Sequence, residues 1–322
     1  MPSFRFDKHD ADFAGRTTVE DWARIIDFRG QPNFVDAVLL YGALMPGLFV
    51  NNFIINKVVP EAWRFQMLVF TLHLHDTRDT RQPASGLTLS NLQRICTAQG
   101  IAGPGRVAAF LNLMRLGGHL TRTRSLVDSR VVRLEPTATF IAIVERWNDA
   151  IFRILDTVDP GGAFAVKQAA HPRLSWEMRR GGAETLLVGW VPLALFPEVS
   201  HFLGRDGGWV LLTHCIAQVL QDGGSSTIAP VTLDLGAFGK QFGVSRSQLR
   251  RLLDAAHEIG LLDAPPHNGS NIVLSEVLVG AFLAWLASYL ENFQRCTREA
   301  LTALLPVGVE PVAVAQVNRR KR

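Results

Sequence analysis

Apolar residues recur along most of this chain at the three-and-four spacing of helices, with polar or glycine–proline breaks between the runs. Thr17 or Thr18 can cap a helix carrying Val19, Trp22, Ile25 and Ile26, followed by a turn at Gly30, Gln31 and Pro32. Apolar density then rises through Val38–Tyr41, Leu48–Val50 and Phe53–Ile55, too much for a helix with one wet face. This pattern predicts buried helices packed on both sides and broken near Pro46. A helix over Trp63–Leu74 precedes a polar loop, Asp76–Gly86. Two longer apolar stripes predict long helices over Thr137–Asp156 (Phe140, Ile143, Val144, Trp147, Ile151, Leu155) and Ser275–Leu305 (Leu278, Phe282, Trp285, Leu286, Tyr289, Leu290, Phe293, Leu301). Between them, glycine and proline at Asp159–Gly162 and Arg179–Gly182 predict the two ends of a linker. Leu186–Leu203, with Trp190, Pro192 and Pro197, resembles the N-terminal apolar helices in pattern.

The stretch Gly239–Leu262 has the most specific pattern. One helix ends near Phe242, a tight turn runs through Gly243 and Val244, and Ser245 opens a second helix as its N-cap. Leu249, Leu252, Leu253, Ala256 and Ile259 make a buried stripe, and Gly260 stops the helix where a left-handed residue is wanted. Arg246, Ser247, Arg250 and Arg251 then point outward over the first two turns, the arrangement by which a helix-turn-helix presents a recognition helix to DNA. Val244, Ser245 and Arg246, followed by Leu249 and Arg250, resemble winged helix-turn-helix regulators of the GntR and MarR kind. The resemblance implies a recognition helix read through Ser245, Arg246, Ser247, Gln248, Arg250 and Arg251.

Leu89–Leu120 repeats this stretch. Aligning Gly100 with Gly243 sets an offset of 143, at which Leu92 meets Leu235, Ile101 meets Val244, Phe110 meets Leu253 and Gly117 meets Gly260, without a gap. Leu68 and Val69 fall on Leu211 and Leu212, and Phe140, Ile143 and Trp147 on Leu283, Leu286 and Leu290. Such a match predicts two copies of one unit.

Each copy is expected to carry a β wing. In the first, His119–Thr123 and Arg130–Leu134 alternate as two strands with Arg124–Ser129 as the tip. In the second, Leu261–Leu262 and Ile272–Leu274 flank a tip at Pro265–Asn271, where His267 and the turn dipeptide Asn268–Gly269 sit. The copies differ in charge. The second has Arg246, Arg250 and Arg251 on its helix and no lysine or arginine in its wing; the first offers Gly103, Pro104, Gly105 and Arg106 on its helix start and Arg122, Arg124, Arg130 and Arg133 in its wing. Base readout needs side chains at the helix start, while phosphate contact needs only positive charge. The second copy is therefore expected to read sequence and the first to clamp the backbone.

Composition narrows the class. The 322 residues are long enough for two domains, carry a net charge of +4, and are 48% hydrophobic with a mean hydropathy of +0.14. A pI near 9.2 suits a nucleic-acid partner. Cys96, Cys215 and Cys296 are odd in number and widely spaced, which reads as reduced, buried thiols. Ala37–Asn56 is free of charge, but Pro46, Asn51, Asn52 and Asn56 favour buried helices over a membrane span. Met1–Asp21 has no apolar signal-peptide core. His73 and His75 lie two apart, about 200° around a helix, and so do not converge on a metal. No phosphate-binding glycine loop, nucleophile elbow or HExxH pair is present, so neither enzyme activity nor a metal or cofactor is expected.

The expected fold is mainly α with small β wings: two winged helix-turn-helix modules related by internal duplication and joined by long apolar helices. The expected boundaries are an N-terminal helical packing segment over 1–62, modules at 63–157 and 207–305, a linker and packing segment at 158–206, and a basic tail over 306–322. The expected function is a cytoplasmic, DNA-binding transcriptional regulator, a single-chain pseudo-dimer on double-stranded DNA, with room for a small-molecule effector and for a homodimer, and no membrane association. The competing readings are a DNA binder resembling plasmid replication initiators and a winged-helix protein-interaction scaffold without sequence-specific DNA binding.

Overall fold

A computed structural model describes residues 7–50, 62–124, 131–221, 228–266 and 271–304. The chain is mainly α, with one two-stranded antiparallel hairpin among the described residues. Its helices are α1 (Asp10–Ala14), α2 (Val19–Arg29), α3 (Phe34–Leu44), α4 (Ala62–Asp76), α5 (Leu89–Ala98) and α6 (Pro104–Leu116). The hairpin follows, β1 (Leu120–Arg124) and β2 (Val132–Pro136), and then α7 (Ala138–Val158), α8 (Phe164–Ala170) and α9 (Arg173–Leu187). The chain continues through α10 (Pro192–Leu195), α11 (Pro197–Leu203), α12 (Gly208–Gln221), α13 (Leu235–Phe242), α14 (Arg246–Glu258) and α15 (Glu276–Leu304).

Local chemistry accounts for most of these limits. Thr18, Thr88 and Thr137 each accept from an amide three residues on and so cap α2, α5 and α7. Pro46 ends the α3 run and opens a short 3-10 turn, Pro46–Phe49, so the uncharged segment is broken helix as far as it is described. No described helix is long and apolar enough to cross a membrane.

Packing explains the apolar excess. Every residue of α15 from Leu278 to Ser288 is buried, because α2, α7, α9, α10 and α11 surround it. The other contacts pair off: α3 rests on α7 and α12, α9 rests on α15 and α4, α2 lies along α15, and α8 lies along α7. An all-round apolar helix needs neighbours on every side, and these arrangements supply them.

Three expectations need correcting. Arg179–Gly182, read as the end of a linker, lies in the middle of α9. Arg179 is held there by Asp76 and Glu145, and Gly181 is small because α9 meets α15 closely, where a Cβ would stand 3.0 Å from Cys296 Sγ. The second wing is reduced to isolated bridges, Leu262↔Leu274 and Val231↔Ile272, the latter using a segment before α13 that the pattern did not single out. The first hairpin is displaced by one to two residues toward the C-terminus, with Arg122 opposite Leu134 and Arg124 opposite Val132.

Candidate nucleic-acid interface

The site starts from the junction of α13 and α14. Asp234 caps α13 by accepting from the amides of Gly236 and Ala237. Gly243 closes it at φ +70°, a left-handed position that glycine occupies without a Cβ penalty. The two helices meet so closely that a Cβ on Gly239 would lie 2.2 Å from Val244 O. A capping box then starts α14: Ser245 Oγ accepts from Gln248 N at 3.1 Å, and Gln248 Oε1 accepts from Ser245 N at 3.0 Å.

This geometry decides which faces of α14 are wet. Leu249, Leu252, Leu253 and Ala256 are buried, and Arg246, Ser247, Arg250 and Arg251 are exposed over the first two turns. Ile259, expected to extend the buried stripe, is instead 60% exposed, because the helix ends at Glu258 and Ile259 is its C-cap. Arg251 Nε donates to Ser247 O at 3.3 Å, and Arg250 Nε lies 3.8 Å from Asp254 Oδ2. Both are exposed arrangements that a phosphate can outcompete at little cost. The backbone amides of Ala237 and Gly236 hold the Asp234 carboxyl below its usual range, and Arg246 adds to this from across the turn. Ser245 and Gln248, expected to face DNA directly, are bonded to each other, with Ser247 Oγ 3.1 Å from Ser245 Oγ. They shape the helix start on which the arginines stand.

The other helix expected to face DNA is α6. Gly103 precedes it without a side-chain cap bond, Pro104 opens it, and Gly103, Pro104, Gly105 and Arg106 are all exposed. Arg106 lies 5.9 Å from the Trp63 ring, on which Arg64 also rests at 4.9 Å. Sequence reasoning did not pick out Arg64, because a helical arginine beside a tryptophan gives no spacing signal.

In the hairpin, Arg122 and Arg124 are exposed and project from one face of β1. Arg133 does not join them. It is buried, and its Nε and Nη2 donate to Pro83 O at 3.3 and 3.0 Å, fastening β2 to the loop before α5. The four-arginine wing therefore loses one member to structure. Arg130, His267 and Asn268 lie outside the described residues.

No family model, curated protein or solved structure matches the chain. The site is therefore read from its own chemistry. Among the described residues no group of histidine, cysteine, aspartate and glutamate could hold a metal ion. Burial pushes the Cys96 thiol up to about 11 and the Cys215 thiol up to about 12, so neither is poised as a nucleophile. The exposed start of α14 presents Arg246, Ser247, Arg250 and Arg251.

Proposed function

We propose that the protein is a DNA-binding transcriptional regulator of the cytoplasm, built as two winged helix-turn-helix modules in one chain. The observation that carries this reading is α14. It is a helix buried on one face and pinned at its start by a capping box and a glycine-tight turn, with Arg246, Ser247, Arg250 and Arg251 exposed together. Arginine pairs with guanine edges in the major groove, and a short rigid helix start is the part that reaches them.

The internal offset supports the two-module reading. Adding 143 to the bounds of α6 gives 247–259, against 246–258 for α14; adding it to α4 gives 205–219, against 208–221 for α12. The packing follows the same relation: α3 on α12 mirrors α9 on α4, and α2 on α15 mirrors α8 on α7. Each half thus lays its leading helices on the other half, as the arms of a dimer do. A dimer made within one chain presents two recognition helices without a partner subunit.

Their chemistry assigns unequal roles. α14 reads bases, while Arg106, Arg122 and Arg124 around α6 and its hairpin hold phosphates. An electrophoretic shift on random genomic fragments at two salt concentrations tests this. The expected result is salt-dependent binding that Arg246→Ala or Arg250→Ala weakens for the preferred site by about 1–3 kcal/mol. Arg122→Ala and Arg124→Ala are expected to weaken all sequences alike and to flatten the salt dependence. A chain that shifts no DNA at low salt would instead be a protein-interaction scaffold.

A further inference from the structure

Among the described residues, a space is left open where the two halves meet. A cavity of about 200 Å³ opens between α4, α7, α9 and α15, with Phe65 and Trp147 from one half and Trp209 and Trp285 from the other among its walls. We propose that this cavity is a binding site for one uncharged, two-ring aromatic molecule carrying a hydrogen-bond acceptor.

Size comes first. Protein interiors are packed to a density of roughly 0.75, so a well-fitted guest here has about 150 Å³ of its own volume, or about ten to twelve heavy atoms. An apolar cavity of roughly this size takes up a small arene readily. Shape follows from the walls. The rings of Trp147 and Trp209 stack at 6.3 Å with planes 20° apart, and those of Trp285 and Tyr289 at 5.8 Å and 18°. Two near-parallel ring pairs offer flat faces, which favour a planar guest by offset stacking.

Among the described residues the cation on the wall is Arg179, and its pairing disfavours a charged guest. Arg179 is engaged by Glu145 at 2.7 Å and by Asp76 at 3.3 Å, two carboxylates against one guanidinium. A carboxylate guest would meet a surplus of negative charge in a poorly hydrated space. The polar contact comes from Asn292, which also borders the cavity. Its carboxamide oxygen accepts from Arg295 Nη2 at 2.6 Å and from Thr185 Oγ1 at 3.4 Å. Arginine can only donate, so the atom it meets is the oxygen and the other is the NH2. No described residue accepts from that Nδ2, which leaves it to bind the acceptor atom of the guest.

Because α4 and α7 belong to one half and α12 and α15 to the other, a guest touching all four would fix how the halves sit. Its role as an effector rests on the DNA-binding reading above; the site itself does not.

The test is titration of the full chain with 2-naphthol without DNA, followed by tryptophan emission, since four of the seven tryptophans border the cavity. The expected result is saturable quenching at one molecule per chain, at least threefold weaker for naphthalene and at least thirtyfold weaker for 2-naphthoate. Gly182→Leu fills the cavity from α9, where a Cβ meets only Phe293 at 4.0 Å, and is expected to weaken 2-naphthol at least tenfold without lowering the melting temperature. Val69→Phe fills it from α4 and is expected to do the same, which guards against one variant failing to fold. Absence of saturable binding, 2-naphthoate binding as tightly as 2-naphthol, or unchanged affinity in both filled variants would overturn the proposal. A chain that binds 2-naphthol as described and shifts no DNA keeps the site and removes the regulator reading. One that shifts DNA equally with and without 2-naphthol loses the effector role.

Discussion

The indole Nε1 of Trp209 donates to Tyr41 Oη at 3.2 Å, joining α12 to α3 across 168 positions of sequence. Both side chains are buried, and their rings meet edge to face with centroids 6.2 Å apart. The bond lies at the edge of the cavity, and burial pushes the Tyr41 phenol well above its ordinary range. Tyr41→Phe removes the acceptor of this buried hydrogen bond, which should cost about 1 kcal/mol. Urea unfolding should show a lower midpoint with an unchanged slope. An unchanged midpoint would mean that water replaces the phenol.

The α13–α14 turn should tolerate little. Gly239→Ala places a methyl group against Val244 O, a contact backbone cannot relieve by a rotamer change, so the two helices must separate. Losses of several kcal/mol in stability are expected, together with loss of DNA binding. Ser245→Ala removes only the cap and should cost about 1 kcal/mol while the helix survives. Circular dichroism melts of the two variants should separate in that order; equal melts would place the tightness of the turn elsewhere.

Stability should fall on both sides of neutral pH. Burial lowers the histidines His73, His119, His201 and His214 below their usual range. A base whose folded pKa is lowered takes up its proton more readily when unfolded, so its contribution is present above about 6.5 and is lost as pH falls below that. The thiols act oppositely. Cys96 ionises near its ordinary 9.0 when unfolded but only at about 11 when folded, so its contribution is lost as pH rises through that range. Urea midpoints at pH 5.5, 7.5 and 10 should peak at the middle value. His119→Leu should flatten the acid side and Cys96→Ala the alkaline side, and a peak unmoved by both would assign the dependence to other groups.

A single chain should protect an asymmetric site. Identical recognition helices favour a palindrome, because operator symmetry mirrors protein symmetry. Here Arg246 and Arg250 occupy α14 where Gly103 and the buried Val107 begin α6. Footprinting combined with a solution mass measurement should find one well-specified half-site and one loosely specified half-site per chain. A short palindrome bound by one chain would show that this asymmetry does not govern recognition.

Burying an unpaired charge where helices surround α15 should be severe. Leu286 is fully buried there, and Leu286→Asp should cost several kcal/mol and leave little folded protein at 37 °C. Limited proteolysis against the parent chain measures this directly, and equal resistance would mean that α15 can shift to expose the position.

Much of this molecule follows from features that act over a few residues, and the sequence alone was enough for those. The Ser245 cap, a cap at Thr17 or Thr18 that the structure gives to Thr18, the tight turn at Gly243, the left-handed Gly260, and the apolar stripes of α7, α15 and, short of Ile259, α14 all express local backbone chemistry or helical period. The outward set Arg246, Ser247, Arg250 and Arg251 follows from the same period. Features that depend on what lies opposite were settled only in three dimensions. Gly181 reads as a break because glycine costs helix stability in isolation, yet the close approach of α15 gives it a place inside α9. Arg133 reads as one of a charged row along a strand until Pro83 O is seen beside its guanidinium. The cavity had no sequence signature at all. Its wall joins residues from Tyr41 to Phe293, and an unfilled space is a property of how helices meet, which no spacing along one chain records.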